Sequence, residues 1–83
     1  KSSQYVGDVV SVDAEGWATV DVKNKFRVGD HIEIIHPSGN QIVKLPAMRK
    51  DGVPIQEAAG GGHVVQIPDM QGKDNALLTV VLS

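Results

Sequence analysis

The first residues to ask about are His31, His36 and His63, because a neutral imidazole is the commonest metal ligand. His31 and His36 lie five positions apart, and on an intact strand an odd spacing sends two side chains to opposite faces, so they do not chelate one ion as a local pair. The chain has no Cys, which removes thiolate zinc sites, iron–sulfur ligation and cysteine nucleophiles. No metal and no cofactor are therefore expected in this chain. Ser11, Ser38 and Asp30 supply the letters of a nucleophilic triad. The strained Gly-x-Ser-x-Gly elbow is missing, however, and Ser38 falls in a Pro-Ser-Gly turn. Asp13 and Glu15 sit in a turn composition where both carboxylates are solvated, not in a pocket that would separate their pKa values. Gly60-Gly61-Gly62 lacks the Lys-Ser/Thr of a phosphate-binding loop and precedes a strand instead of a helix, so it reads as a positive-φ loop or tight crossover. No catalytic residue is expected.

Lys23, Lys25 and Arg27 are different, since a spacing of two puts all three on one face of an extended segment. Such a stripe can meet phosphates of a nucleic acid, with Lys44, Arg49 and Lys50 extending it after folding. The same spacing also serves as a solvated face opposite a core-facing Phe26. The net charge of -2 argues against strong non-specific nucleic-acid binding. Tyr5, Trp17 and Phe26 are the whole aromatic complement, too few for a base-stacking platform, and Trp17 and Phe26 suit the core or its rim.

The elements that must position these residues read as strands. Thirteen Val and six Ile against four Leu and six Ala favour side chains stiff at χ1 that fit a pleated sheet. Tyr5–Val12 is the first strand, with Val6, Val10 and Val12 on one face; Gly7 marks a bulge or a close backbone approach. The turn Asp13-Ala14-Glu15-Gly16 leads to Trp17–Val22, completing a hairpin. Alternation continues through Lys23–Val28, and Gly29-Asp30 precedes His31–His36, in which Ile32 and Ile34 share a face. Pro37-Ser38-Gly39-Asn40 is the clearest turn, joining that strand to Gln41–Leu45. Ala47-Met48-Arg49 is the one place for a helical turn. Val53–Gln56, interrupted by Pro54, is at most an edge piece. His63–Ile67 and Ala76–Leu82 are the last strands. Six to seven short strands with turns every 8 to 12 residues point to an all-β fold, a small antiparallel β-barrel, since closing the sheet removes exposed edges.

At 83 residues the chain has room for one domain, expected over residues 5–83, with residues 1–4 a flexible tail or linker. It opens without Met, which suggests an excised piece of something longer. No apolar run approaches the ~18 residues of a membrane span and no charged-then-apolar leader is visible. A cytoplasmic domain without a membrane partner is expected.

Taken in order, Tyr5-Val6-Gly7-Asp8-Val9, Val20-Asp21-Val22-Lys23-Asn24-Lys25-Phe26-Arg27-Val28-Gly29-Asp30, Ile34-Ile35-His36-Pro37-Ser38-Gly39-Asn40 and Ala59-Gly60-Gly61-Gly62-His63 resemble the C-terminal domain of the collagenase-like U32 peptidase family, nearest to its YegQ-type members. The ordered set spans nearly the whole chain from Tyr5 to about Pro68. Ala59 stands where a proline is common in the family. The resemblance implies a β-barrel similar to the second domain of translation elongation factors. It also implies a larger N-terminal catalytic domain as partner, so no catalytic residue carries over to this sequence. Family members are named as proteases or collagenases, and YegQ-type proteins are associated with prephenate-dependent hydroxylation of tRNA uridine. The implied role is a non-catalytic accessory domain that aids recruitment of a tRNA or protein substrate; the stripe read from spacing, Lys23, Lys25 and Arg27, is then the expected contact. The alternative is a purely structural module that packs on the catalytic domain and stabilises it.

Overall fold

The computed structural model describes residues 2–82. Ten strands follow one another: β1 (Ser3–Val12), β2 (Ala18–Val22), β3 (Phe26–Arg27), β4 (His31–Ile35), β5 (Gln41–Lys44), β6 (Arg49–Lys50), β7 (Val53–Pro54), β8 (Glu57–Ala58), β9 (Val64–Ile67) and β10 (Leu77–Val81). The fold is all-β and every pairing is antiparallel. The six strands of four or more residues are those expected from alternation. The count of six to seven falls short because four two-residue pieces, β3, β6, β7 and β8, are added by tertiary pairing. No helix forms at Ala47-Met48-Arg49: Arg49 begins β6 and pairs with Gln66 of β9 and Pro54 of β7. Of residues 1–4, Lys1 lies outside the described residues, whereas Ser3 and Gln4 pair with Val81 and Val80 inside the sheet.

Eight strands form one sheet in the order β5-β4-β10-β1-β2-β9-β6-β7, and β3 and β8 make a second, two-stranded piece. Pro54 sits in β7 at the sheet edge, where a residue without an N–H leaves no ladder bond unmade. The large sheet curls upon itself. Three strands separate β4 from β9 in the pairing order, yet a cleft of about 150 Å³ is lined by Ile32 and Ile34 of β4, Ile67 of β9, and Leu45 and Met70 beyond them. Hydrogen-bonded ladders do not join the end strands β5 and β7 among the described residues; apolar packing brings the β4–β5 side against the end of β9.

One face each of β2, β4, β9 and β10 supplies most of the core. Ala18, Val20 and Val22 of β2, Ile32 and Ile34 of β4, Val65 and Ile67 of β9, and Leu78 and Val80 of β10 are buried at period two, together with Phe26, Met48 and Met70. β1 departs from simple alternation. Val6 and Val9 are buried while Val10 is 58% exposed, because the register shifts between Tyr5 and Gly7 and again between Val9 and Ser11, and each bulge reverses the phase. Gly7 serves both expected purposes: it lies at the first bulge, and a Cβ there would stand 2.7 Å from the Asp21 carbonyl oxygen.

Candidate functional site

Lys23, Lys25 and Arg27 do not lie on one strand. β2 stops at Val22, the chain bends at Lys23 and Asn24, and only Phe26–Arg27 returns to a ladder. The bend is held from β1, whose Val6 carbonyl accepts the Lys23 N–H at 2.7 Å and the Asn24 N–H at 3.2 Å. Asn24 adds a side-chain bond, Nδ2 donating to the Tyr5 carbonyl at 2.8 Å. From the other side the glycine loop closes on the same bend, and a Cβ on Gly60 would be 2.8 Å from the Lys23 carbonyl oxygen. The equal spacing of the three cations therefore does not translate into a strand face. All three are exposed.

Their charges are unequally committed. Lys23 Nζ lies 3.0 Å from Asp21 Oδ2, and that bond raises the lysine pKa above its ordinary value. Arg27 sits opposite Glu57 in the β3–β8 ladder, with 3.6 Å between Nη2 and Oε1. The Arg27 N–H donates to Asp30 Oδ2 at 2.8 Å and the Asp30 N–H to the Arg27 carbonyl at 3.1 Å, closing a turn in which Gly29 takes φ +94°. Among the described residues no carboxylate lies within ion-pair distance of Lys25. Exposed pairs such as the first two are weak because solvent screens them, and they leave the cations available to a competing anion.

A second basic group was not legible as a unit in the sequence. Arg49 stacks on Trp17, its guanidinium carbon 3.8 Å from the ring centroid. Its Nε donates to Gln66 Oε1 at 2.8 Å, and Asp13 Oδ2 stands 4.0 Å from Nη2. Next to it Lys50 Nζ is 3.1 Å from His63 Nδ1. Thr19, Arg49, Lys50, Asp51, His63 and Gln66 line an open groove of about 540 Å³ between the β6–β7 turn and β9. In the sequence Arg49 and Lys50 read, with Lys44, only as an extension of the Lys23 stripe; His63 joins them because β9 lies beside β6.

The histidines do not converge. His36 bonds the Ser38 hydroxyl through Nδ1 at 2.7 Å and the Asp74 carbonyl through Nε2 at 3.1 Å, and Lys73 Nζ donates to the same hydroxyl at 3.1 Å. Ser38 thus ties the β4–β5 turn to the segment before β10. Among the described residues no three His, Asp or Glu side chains cluster to hold a metal ion. Among the described residues no helix is long and apolar enough to cross a membrane.

Comparison with known proteins follows the same geometry. The family model of the peptidase family U32 C-terminal domain matches residues 1–78. The tRNA hydroxylation protein P of Haemophilus influenzae is 38% identical over 64 residues, 75% of this chain and 14% of the relative. The protein of the same name from Escherichia coli K12 is 38% identical over 68 residues, 78% of this chain and 15% of the relative. The chain therefore spans a small part of the curated relatives it matches. The crystal structure of the C-terminal domain of a Geobacillus thermoleovorans U32 peptidase superposes with TM-score 0.78 at 24% identity, over 92% of this chain and 89% of that one. Its selenomethionine variant gives 0.80 at 23% identity, over 94% and 99%. At those identities the structures establish a shared fold, and the second shows that fold crystallised as an isolated domain.

Proposed function

This chain belongs to the U32 peptidase C-terminal domain family, and from that membership we propose that it is a non-catalytic accessory module that helps a tRNA-hydroxylating parent hold its tRNA. The observation that carries this reading is that both curated relatives, at 38% identity, are named tRNA hydroxylation protein P. Lys23, Lys25 and Arg27 are its proposed contacts: all are exposed, and Lys25 has no carboxylate within ion-pair distance among the described residues. Cations of this kind bind phosphates by releasing condensed counterions, so the interaction weakens as salt rises. The remaining partner in this reading is the N-terminal catalytic domain of the same polypeptide, and the setting is the cytoplasm.

The test is tRNA binding by fluorescence anisotropy across a salt series, with Lys23→Glu, Lys25→Glu and Arg27→Glu combined. Binding should weaken, and the slope of log affinity against log salt should flatten by roughly 2 for three lost contacts. Unchanged affinity in a folded variant would sink the assignment of these contacts.

A further inference from the structure

We infer that the groove between the β6–β7 turn and β9 receives a backbone phosphate of that RNA, held by Lys50 and His63 with Arg49 fixed beside them. The inference rests on the proposed tRNA-holding role and moves its centre away from the Lys23 bend.

Two donors stand side by side without a counter-charge. Lys50 Nζ lies 3.1 Å from His63 Nδ1, and among the described residues neither has a carboxylate within 4.0 Å, since the ion pairs present are Lys23–Asp21, Arg27–Glu57 and Arg49–Asp13. An ammonium next to an imidazole fixes the chemistry of both. Lysine has three N–H groups and no lone pair, so it donates one to Nδ1 and keeps two; the imidazole then carries its own hydrogen on Nε2 and offers a further donor. Several N–H groups with one positive charge, gathered around an open groove, suit the oxygens of a phosphate.

Arg49 contributes differently. Held over Trp17 and bonded to Gln66, its guanidinium adds positive potential at the groove wall without needing to be ordered on binding, partly offset by Asp13 at 4.0 Å. Asp51 is the one acidic residue lining the groove, and its charge opposes an anion there.

The surface is continuous with the Lys23 bend. The Gly62 N–H donates to the Val22 carbonyl at 3.0 Å and the Val22 N–H to the His63 carbonyl at 2.8 Å, so the glycine loop carries the chain from the bend directly to His63. A nucleic-acid backbone lying across that loop reaches Lys23 at one end and Lys50 at the other. The groove is open to solvent, which a polymer requires and a small enclosed ligand does not.

The experiment is an amide and histidine-ring NMR titration of the folded chain with an unmodified tRNA transcript and, separately, with inorganic phosphate, repeated on Lys50→Ala, His63→Ala and Asp51→Asn. The tRNA should shift Lys50–Gly52 and Gly61–Gln66 together with the His63 ring. Lys50→Ala should weaken tRNA binding about fivefold to tenfold, the range between an exposed ion pair and a charge-assisted hydrogen bond. It should also flatten the salt slope by roughly 0.7–0.9. Asp51→Asn should tighten binding about twofold by removing the opposing charge, and its positive φ of 50° is one that Asn accommodates.

Binding of tRNA that shifts only the Lys23–Arg27 region and ignores Lys50→Ala overturns the groove while leaving the tRNA role standing. Absence of tRNA binding by a folded chain at low salt overturns both. Phosphate binding at the groove with an affinity equal to that of tRNA assigns the site to a free phosphate ligand and overturns the RNA assignment.

Discussion

Tyr5 is the only tyrosine in the chain, and its hydroxyl donates to Asp8 Oδ2 at 2.7 Å. Residues three apart on a regular strand face opposite ways; the bulge between Tyr5 and Gly7 brings these two to the same side. Ionising the phenol would break that bond and set a second negative charge beside Asp8, with Asp21 adding to the repulsion, so the Tyr5 pKa is pushed up to about 12. The sign follows. The folded chain holds this proton more tightly than the unfolded one, so the contribution to stability is complete below the free value of 10.0 and is lost as pH rises through about 12. Alkaline titration followed by phenolate absorbance should show little ionisation at pH 10, and Asp8→Asn should bring the midpoint back toward that value. A native midpoint at 10 would mean the bond does not persist in solution. Asn24 makes the same point about local motifs: its bonds to β1 explain why an Asn stands between two lysines, a role invisible until Tyr5 and Val6 are known to be neighbours.

At the scale of elements, what was legible in the sequence was whatever depends on period two alone. Ile32 and Ile34, or Ala18, Val20 and Val22, are buried as alternation requires. β1 fails that rule because bulges are properties of a pairing between strands, and a single strand shows only the glycine that permits one. Hence Val10 was expected inside and lies outside, while Val9 takes the core position. The two adjacent valines make a sharp test. Val9→Ala should cost about 2 kcal/mol in urea unfolding through lost burial and the cavity left behind, whereas Val10→Ala should stay within about 0.5 kcal/mol. Equal losses would place the bulge elsewhere. The basic groove was illegible for a related reason: Arg49 meets Trp17, and Lys50 meets His63, across 32 and 13 positions of sequence, through a two-residue strand that no propensity argument picks out. The bend at Lys23 and Asn24 likewise interrupts an alternation that runs unbroken through Phe26 on paper.

For the whole molecule, the pairing order decides how a local loss spreads. β10 is an interior strand, bonded to β4 on one side and β1 on the other, and Leu78 pairs with Ile34 and Gly7 while its side chain is completely buried. Every long strand except the edge strand β5 contributes buried residues to the same cluster, and the cleft lined from β4 and β9 shows the two flanks of the sheet packing on each other. Among the described residues there is no second core into which part of the chain could retreat. A domain of this size has about 5–10 kcal/mol of stability, and truncating a buried leucine removes about 3 kcal/mol of it. Leu78→Ala should therefore lower the midpoint of urea unfolding strongly while preserving a single transition, coincident by far-UV circular dichroism and by fluorescence of the sole tryptophan, Trp17. Trp17 reports from the start of β2, on the far side of β1 from the substitution. Transitions that separate between the two probes would mean that the β2–β9 flank and the β4–β10 flank unfold independently, and the groove would then have to be stable without the strands that curl around to close its core.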